Sequence, residues 1–299
     1  MLSYFLKKRL KKHDNLNNVA IKSLIQAALL QQSALSSNEP GIGNNKPHNI
    51  VVSLTSFGLR IEDVYLCIES LFSQSLKADH IVLWLSRENF PDERLPELLH
   101  KQQQRGLTIN FVDEDFGPYK KYVYSFKQFP DSLIITVDDD ILYPVEMIDM
   151  LYRGYLKAPQ HIYCHRGHRI VTNGKGGVKP YHAWEFGHVD SNPSLLTFPT
   201  GMGGVLYPPG SLHDDAFNAE RFLALSPRAD DIWLKAMSLK QGTKCVKIAD
   251  PRPWKERFLI IPGPKQAALS RENRRSKGGN DDKIKATFSA YNLYERLQD

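Results

Sequence analysis

Apolar and polar positions change period repeatedly through the middle of the chain, and each change marks an element. Asn49-Ile50-Val51-Val52-Ser53-Leu54 is a short β-branched run of strand type; Ile61 to Gln74 then carries Val64, Ile68, Leu71 and Phe72 at helical spacing. His80 to Leu85 predicts a second strand, Leu95 to Arg105 a second helix closing at Gly106, and Leu107 to Val112 a third strand. Lys120 to Phe129 reads as a third helix and Leu133 to Val137 as a fourth strand. Strands separated by helices of this length predict an α/β fold of Rossmann-like type, a mostly parallel sheet with helices on both faces.

The flanks read differently. Residues 1 to about 35 have helical spacing at Leu2, Phe5, Leu6 and Leu10 and again at Ile21, Leu24, Ile25 and Leu29, with a polar interruption from Asp14 to Asn18. Ser33 to Pro47 has linker composition. After Asp140 a helix is predicted from Glu146 to Leu156. Residues 159–216 mix short extended pieces with many Gly and Pro residues, a helix runs from about Asp231 to Lys240, and an irregular basic tail starts at Asp250. The expected division is a basic helical segment and linker at 1–47, a globular domain at 48–250 with halves at 48–145 and 146–250, and a basic tail at 251–299. No internal repeat is visible.

Composition narrows the classes. The chain has 299 residues, 41% of them hydrophobic and 24% charged, which is enough for one large domain, and no apolar run approaches the roughly 20 residues of a membrane span. Met1 to Leu10 is apolar first and basic afterwards, the reverse of a secretory signal, so a cytoplasmic location is expected. Cys67, Cys164 and Cys245 are odd in number and widely spaced, which argues against a disulfide framework or a zinc site. The net charge of +6 concentrates at Lys7, Lys8, Arg9, Lys11 and Lys12 and at Arg271, Arg274, Arg275 and Lys277. Such ends suit an anionic membrane surface, a nucleic acid or an acidic glycan, so peripheral attachment at the inner face of the cell membrane is an open expectation; they are equally compatible with plain solvation. The core lacks basic-aromatic interleaving, which argues against a nucleic-acid partner.

The most specific chemical signal is Asp138-Asp139-Asp140 at the end of the fourth strand. Open α/β sheets place ligands at that edge. Like charges crowded there repel one another and resist desolvation, and a divalent cation bridging to a phosphate relieves both costs. In an extended segment Asp138 and Asp140 share a side, so one can face Mn2+ or Mg2+ and the other a ribose or sugar hydroxyl. Thr55, Ser56, Gly58 and Arg60 follow the first strand in a turn fit to approach a nucleotide. Gly117-Pro118 breaks the chain before Lys120 and Lys121. Lysines opening a helix need an anion nearby, and one of them could reach a base or diphosphate. Gly201, Gly203 and Gly204 precede a short strand and, lacking side chains, permit close approach of a sugar, with Gly203 and Gly204 the candidate acceptor contacts. Asp230 reads as a helix N-cap with Asp231 just inside and Trp233 as an aromatic floor, a setting for a base acting on an acceptor hydroxyl. Histidines 161, 165, 168, 182 and 188 gather near Arg166, Arg169, Trp184 and Glu185. Without an H-E-x-x-H pattern they read as core or substrate contacts, His165 among the latter, rather than zinc ligands.

Taken in order, Leu54-Thr55-Ser56, Gly117-Pro118 with Lys120 and Lys121, the aspartate triplet, the Gly-rich strand and Asp230-Asp231 resemble the GT-A glycosyltransferases, in particular family-2-like bacterial enzymes of surface polysaccharide synthesis. The resemblance covers about residues 48–248. It implies a GT-A fold, a nucleotide-binding half followed by an acceptor half, and a metal-dependent, inverting transfer from a nucleotide-diphosphate sugar to a glycan or glycolipid of lipopolysaccharide or capsule. It implies Asp140 as metal ligand with Asp138, Asp138 and Asp139 as nucleotide or sugar contacts, and Asp231 or Asp230 as base. Leu85 leads to Ser86-Arg87-Glu88 where such enzymes usually place an acidic base-contacting residue, so the nucleobase stays open, with a UDP-sugar the commonest choice. Two other classes remain. A haloacid-dehalogenase-like phosphatase also sets D-x-D after an apolar strand, but needs a second acidic pair after another strand. A non-catalytic carbohydrate- or nucleic-acid-binding module would bind without turnover.

Overall fold

The computed structural model describes residues 2–43, 45–187, 190–263 and 279–297, with side chains from residue 13 onward. Four parallel strands carry the first half: β1 (Ile50–Thr55), β2 (His80–Ser86), β3 (Leu107–Val112) and β4 (Leu133–Thr136). Their connections hold α2 (Val64–Phe72), α3 (Glu97–Gln104) and α4 (Lys120–Gln128), and α1 (Leu2–Ser36) precedes β1. Both faces of β1 are covered, which is why its sequence is a continuous apolar run rather than an alternating one. Ile50, Val52 and Leu54 pack with α2, while Val51 lies with Val82, Trp84 and Ile134 on the opposite face, where Tyr124 and Phe126 of α4 cover them.

The second half adds β5 (Ile141–Leu142), α5 (Met147–Lys157), β6 (Ile162–Cys164), β7 (Gly167–Arg169), β8 (Glu185–Phe186), β9 (Thr197–Pro199) and β10 (Val205–Tyr207). After these come α6 (Ala219–Leu225), α7 (Asp230–Gln241), β11 (Cys245–Lys247), α8 (Trp254–Arg257), β12 (Leu259–Ile260) and α9 (Asn280–Ala290). The central sheet has the order β11-β6-β10-β4-β1-β2-β3, in which β10 runs antiparallel to both its neighbours. The mixed α/β class, mostly parallel sheet and N-terminal helix expected from the periodicity are all present. Among the described residues no helix is long and apolar enough to cross a membrane.

Three differences from the sequence reading have physical causes. Helix α1 runs unbroken through Asp14 to Asn18, because those polar residues are all exposed and cost the helix only propensity. Its body-facing positions are Ser23, Leu30 and Ala34, whereas Ile21, Leu24, Ile25 and Leu29 are exposed. The linker-like stretch is strapped down by Gly41 N–H to the Arg105 carbonyl and Gly43 N–H to the Ala78 carbonyl. The region beyond Asp250 is not uniformly irregular: β12 pairs with β5, and α9 buries Ile284 and Phe288 in the cluster that holds α7. Ile284 and Phe288 stand at helical spacing on α9, and Leu293 and Leu297 follow it into the same core, all within a charged background that masked them. Arg271, Arg274, Arg275, Lys277 and His188 lie outside the described residues.

Candidate functional site

The C-terminal edge of β1 and β4 collects the predicted chemistry from five segments. Ser53 on β1 donates to the Lys121 carbonyl, and Ser125 donates to Ser53 at 2.7 Å, so α4 is fastened across the sheet with its first turn over the strand ends. That fixes the Lys121 ammonium 2.7 Å from Asp138 Oδ1 and 3.0 Å from Asp230 Oδ2, the latter an ion-pair contact without hydrogen-bond alignment. Helix α7 is set by Tyr119, whose hydroxyl bonds the Ser226 carbonyl and Oγ, and by the Trp233 indole, which donates to the Ala216 carbonyl at 2.9 Å. Asp231 thereby receives the Gly201 N–H at 2.9 Å. The N-cap of α7 is Ala229 rather than Asp230, whose carboxylate turns to Lys121 instead of capping.

The aspartate turn is held at its backbone. Asp138 N–H donates to the Tyr143 hydroxyl at 2.9 Å, and Ile261 N–H donates to the Asp140 carbonyl at 2.9 Å, so the segment after β12 braces the turn. The three side chains then diverge. Asp139, 6% exposed, faces inward to Ser56 Oγ at 2.6 Å and Arg60 at 2.6 Å; Asp140, 22% exposed, lies 3.2 Å from the other arm of Arg60; Asp138 is 32% exposed. Asp138 and Asp140 therefore face outward and Asp139 serves as an internal anchor for Arg60.

Electrostatics follow from this packing. Burial, then the charge of Asp138, pushes Asp140 up to about 6, with Arg60 pulling the other way. Burial, then Asp230, pushes Asp231 up to about 8 against the opposing pull of Lys121. Asp139 and Asp230 are raised as well, again chiefly by burial. Burial alone would lower Lys121, but Asp138, Asp230 and Asp231 outweigh it and hold the ammonium charged. Five carboxylates share two cations at this rim, an excess of negative charge that a divalent ion relieves. No three His, Cys, Asp or Glu side chains converge as a ready-made cage among the described residues. The donor set fits a cation that takes one or two carboxylates, Asp140 and Asp138, and completes its shell with phosphate oxygens and water.

Several expected ligand contacts are occupied by the protein itself. Thr55 Oγ1 donates to the Trp84 carbonyl at 2.7 Å. Lys120 is buried on Asp115, which also accepts from Asn89 and from Gly117 N–H; the anion that a lysine at the start of α4 requires is thus supplied internally. Trp233 is fully buried in the core and forms no aromatic floor. His165 is buried with Nε2 on the Met147 carbonyl, and burial lowers it to about 4, a neutral core histidine. Gly203 makes room for the Arg166 backbone and the Trp254 ring, which an added Cβ would meet at 2.9 and 3.0 Å. Gly204 has φ +79°, a backbone requirement.

Gly201, the first of the three glycines, lies where a Cβ would sit 3.1 to 3.2 Å from Asp138, Asp231 and Lys121, so its bare backbone makes room for these charged groups. The sequence reading passed over two features. Tyr143, immediately past the aspartates, had a hydroxyl without an assigned partner. Trp254 stacks on Phe258 at 3.9 Å and lies under Arg166, and no local pattern in the basic tail marked it. A cavity of about 310 Å³ lined by Tyr143, Glu146, Arg252, Glu256, Arg257 and Leu259 opens on α1, apart from these carboxylates.

No protein-family profile and no curated protein matches the chain. Among solved structures it is similar to a mannosyltransferase from Pyrobaculum calidifontis in complex with GDP-Man and Mn2+, at 11% identity over 93% of this chain and 77% of that one, with a TM-score of 0.49. It is similar also to 4-diphosphocytidyl-2C-methyl-D-erythritol synthase from Anaerococcus prevotii, at 13% identity over 82% and 99% of the two chains and a TM-score of 0.44. A third is TarS residues 1–349 from S. aureus, at 11% identity over 68% of this chain and 58% of that one, with a TM-score of 0.43.

Proposed function

We propose that the chain is a metal-dependent glycosyltransferase of GT-A type that moves a sugar from a nucleotide-diphosphate sugar to a glycan or glycolipid acceptor with inversion. The observation that carries this reading is the Asp231 carboxylate, held by Gly201 N–H with its pKa raised to about 8 and gathered with Asp138 and the Lys121 ammonium around the bare backbone of Gly201 at the sheet rim. A carboxylate tuned close to neutrality is matched to general-base work. Asp231 takes the proton of an acceptor hydroxyl as that oxygen attacks the anomeric carbon, and the bond from that carbon to the diphosphate oxygen breaks. Asp230 keeps Lys121 in place, and Lys121 offsets the charge of Asp138 and Asp231. Asp140 with Asp138 would hold Mn2+ or Mg2+, which supplies charge stabilisation to the departing diphosphate. Arg60, oriented by Asp139, adds a fixed guanidinium on the donor side.

A bacterial surface-polysaccharide acceptor follows from the sequence resemblance. Peripheral contact with an anionic membrane draws support from the exposed Ile21, Leu24, Ile25 and Leu29 of α1, which follow a lysine-rich run in sequence. The test of the activity is release of nucleoside diphosphate from a panel of UDP-, GDP- and CDP-sugars with Mn2+. Release by the wild-type chain, abolished by Asp140→Asn, is the expected result. Absence of release and of transfer across the panel would refute it.

A further inference from the structure

We propose that Arg166, seated on Trp254 and bonded to Thr200, recognises a negatively charged group, a carboxylate or a phosphate, on the acceptor sugar. This deepens the glycosyltransferase reading and rests on it. Arg166 differs from its peers in its charge balance. Arg60 faces Asp139 and Asp140, Arg105 faces Glu69, and Arg257 faces Asp250, each of them largely buried. Arg166 is half-buried, yet among the described residues no carboxylate pairs with it. Its guanidinium donates to Thr200 Oγ1 at 2.9 Å and lies 5.7 Å from the centroid of the Trp254 ring. Those contacts fix the direction of the fork and leave most of its five donors for another partner.

The position fits an acceptor group rather than the donor diphosphate. Thr200, which receives the guanidinium, is followed by Gly201, whose N–H binds Asp231, so one short segment carries both the arginine's partner and the partner of the proposed base. Its surroundings, Thr200, Gly203, Trp254 and Tyr181, all belong to the chain after the aspartate turn. The donor side has its own cations, Arg60 and Lys121. Tyr181 senses both Asp231 and Arg166, and burial with the Asp231 charge pushes its hydroxyl up to about 12, which keeps it a hydrogen-bond donor near neutral pH. A guanidinium stiffened on an indole, with a phenol donor close by, suits a planar carboxylate or a phosphate joined to a sugar ring.

The test is a ligand-observed NMR titration of the full chain with methyl β-D-glucuronide, glucose 6-phosphate and methyl β-D-glucoside, in wild type, Arg166→Gln and Arg166→Lys. Wild type should prefer at least one charged sugar over the neutral one by about tenfold or more, Arg166→Gln should erase that preference, and Arg166→Lys should restore part of it. The arm that wins, glucuronide or phosphate, identifies the group. Should Arg166→Gln fail to fold by circular dichroism, the wild-type preference and its suppression at high salt still decide the matter. Equal binding of charged and neutral sugars by wild type, a preference retained in folded Arg166→Gln, or mutual exclusion between the charged sugar and a nucleoside diphosphate would overturn the proposal. A charged-sugar preference in a protein that releases no nucleoside diphosphate from any donor would instead leave the anion site standing and remove the glycosyltransferase reading.

Discussion

Glu69, fully buried beneath α1, and Asp231, partly buried at the sheet rim, are both carboxylates removed from open water, and their surroundings divide support from chemistry. Glu69 receives Ser33 Oγ at 2.7 Å, Gln102 Nε2 at 3.0 Å and Arg105 at 2.8 Å, while Arg105 also covers the Phe72 ring at 4.9 Å. One negative charge there meets one positive charge and two neutral donors, and the cluster ties α1, α2 and α3 together. At the rim, Asp138, Asp139, Asp140, Asp230 and Asp231 share Arg60 and Lys121. The first cluster is complete without a ligand. The second carries negative charge in excess, and its carboxyls are raised by burial first and by their neighbouring aspartates next.

The sharpest way to separate the two is Asp231→Asn. It should lower sugar transfer by about 10²- to 10⁴-fold while the folded chain persists, because it removes a proton acceptor without removing the Gly201 contact; transfer assays together with a thermal melt read both. Arg105→Met should act oppositely. Leaving Glu69 buried without its cation costs about 3–5 kcal/mol in urea unfolding, with nucleoside diphosphate affinity unchanged in the population that remains folded. Equal loss of binding in that variant would erase the distinction between the clusters.

The pH dependence of stability sharpens it further. Asp231 is held protonated up to about 8 and Asp140 up to about 6, against an ordinary value of 3.8. Between about pH 4 and 8 these two carboxyls bind more protons in the folded state than in the unfolded one, so their contribution to stability should fall as pH rises through that window, while buried His165 acts in the opposite sense below about 6.5. Melting temperature in the absence of metal should therefore decline from about pH 6.5 to about pH 8, with a shallower decline in Asp231→Asn. A profile identical in the two proteins would remove the assigned imbalance. The smallest effect is expected for Ser56→Ala, which deletes one hydrogen bond to Asp139 and should cost about 1 kcal/mol by chemical unfolding, with Arg60 still in place.

The contrast also explains what the sequence disclosed. Strands β1 to β4 and helices α2 to α4 were legible because burial on both sheet faces forces long apolar runs, and the aspartates stood out because three like charges seldom follow a buried strand without a purpose. That Asp138 and Asp140 share a side was legible from alternation, whereas the partners of Asp139 were not, since Ser56 and Arg60 claim it from a turn 79 and more residues earlier. The same holds for Lys120 and Lys121, adjacent in sequence yet committed to Asp115 and to Asp138 with Asp230 respectively. Trp233 and His165 read as acceptor contacts, but the Ala216 carbonyl takes the indole N–H and the Met147 carbonyl takes His165 Nε2 inside the core. Trp254 reaches Arg166 only through the pairing of β12 with β5, a contact that spans more than a hundred residues and has no local signature.

Calorimetric titration of Mn2+ into the chain at pH 8, in the presence of a nucleoside diphosphate, tests most directly whether the rim is a cation site. The account predicts saturable binding by the wild-type chain that weakens at least about tenfold in Asp140→Asn and is unchanged in Asp115→Asn, whose carboxylate is occupied by Lys120. Binding of equal strength in wild type and Asp140→Asn, or no binding with any nucleoside diphosphate, would contradict it.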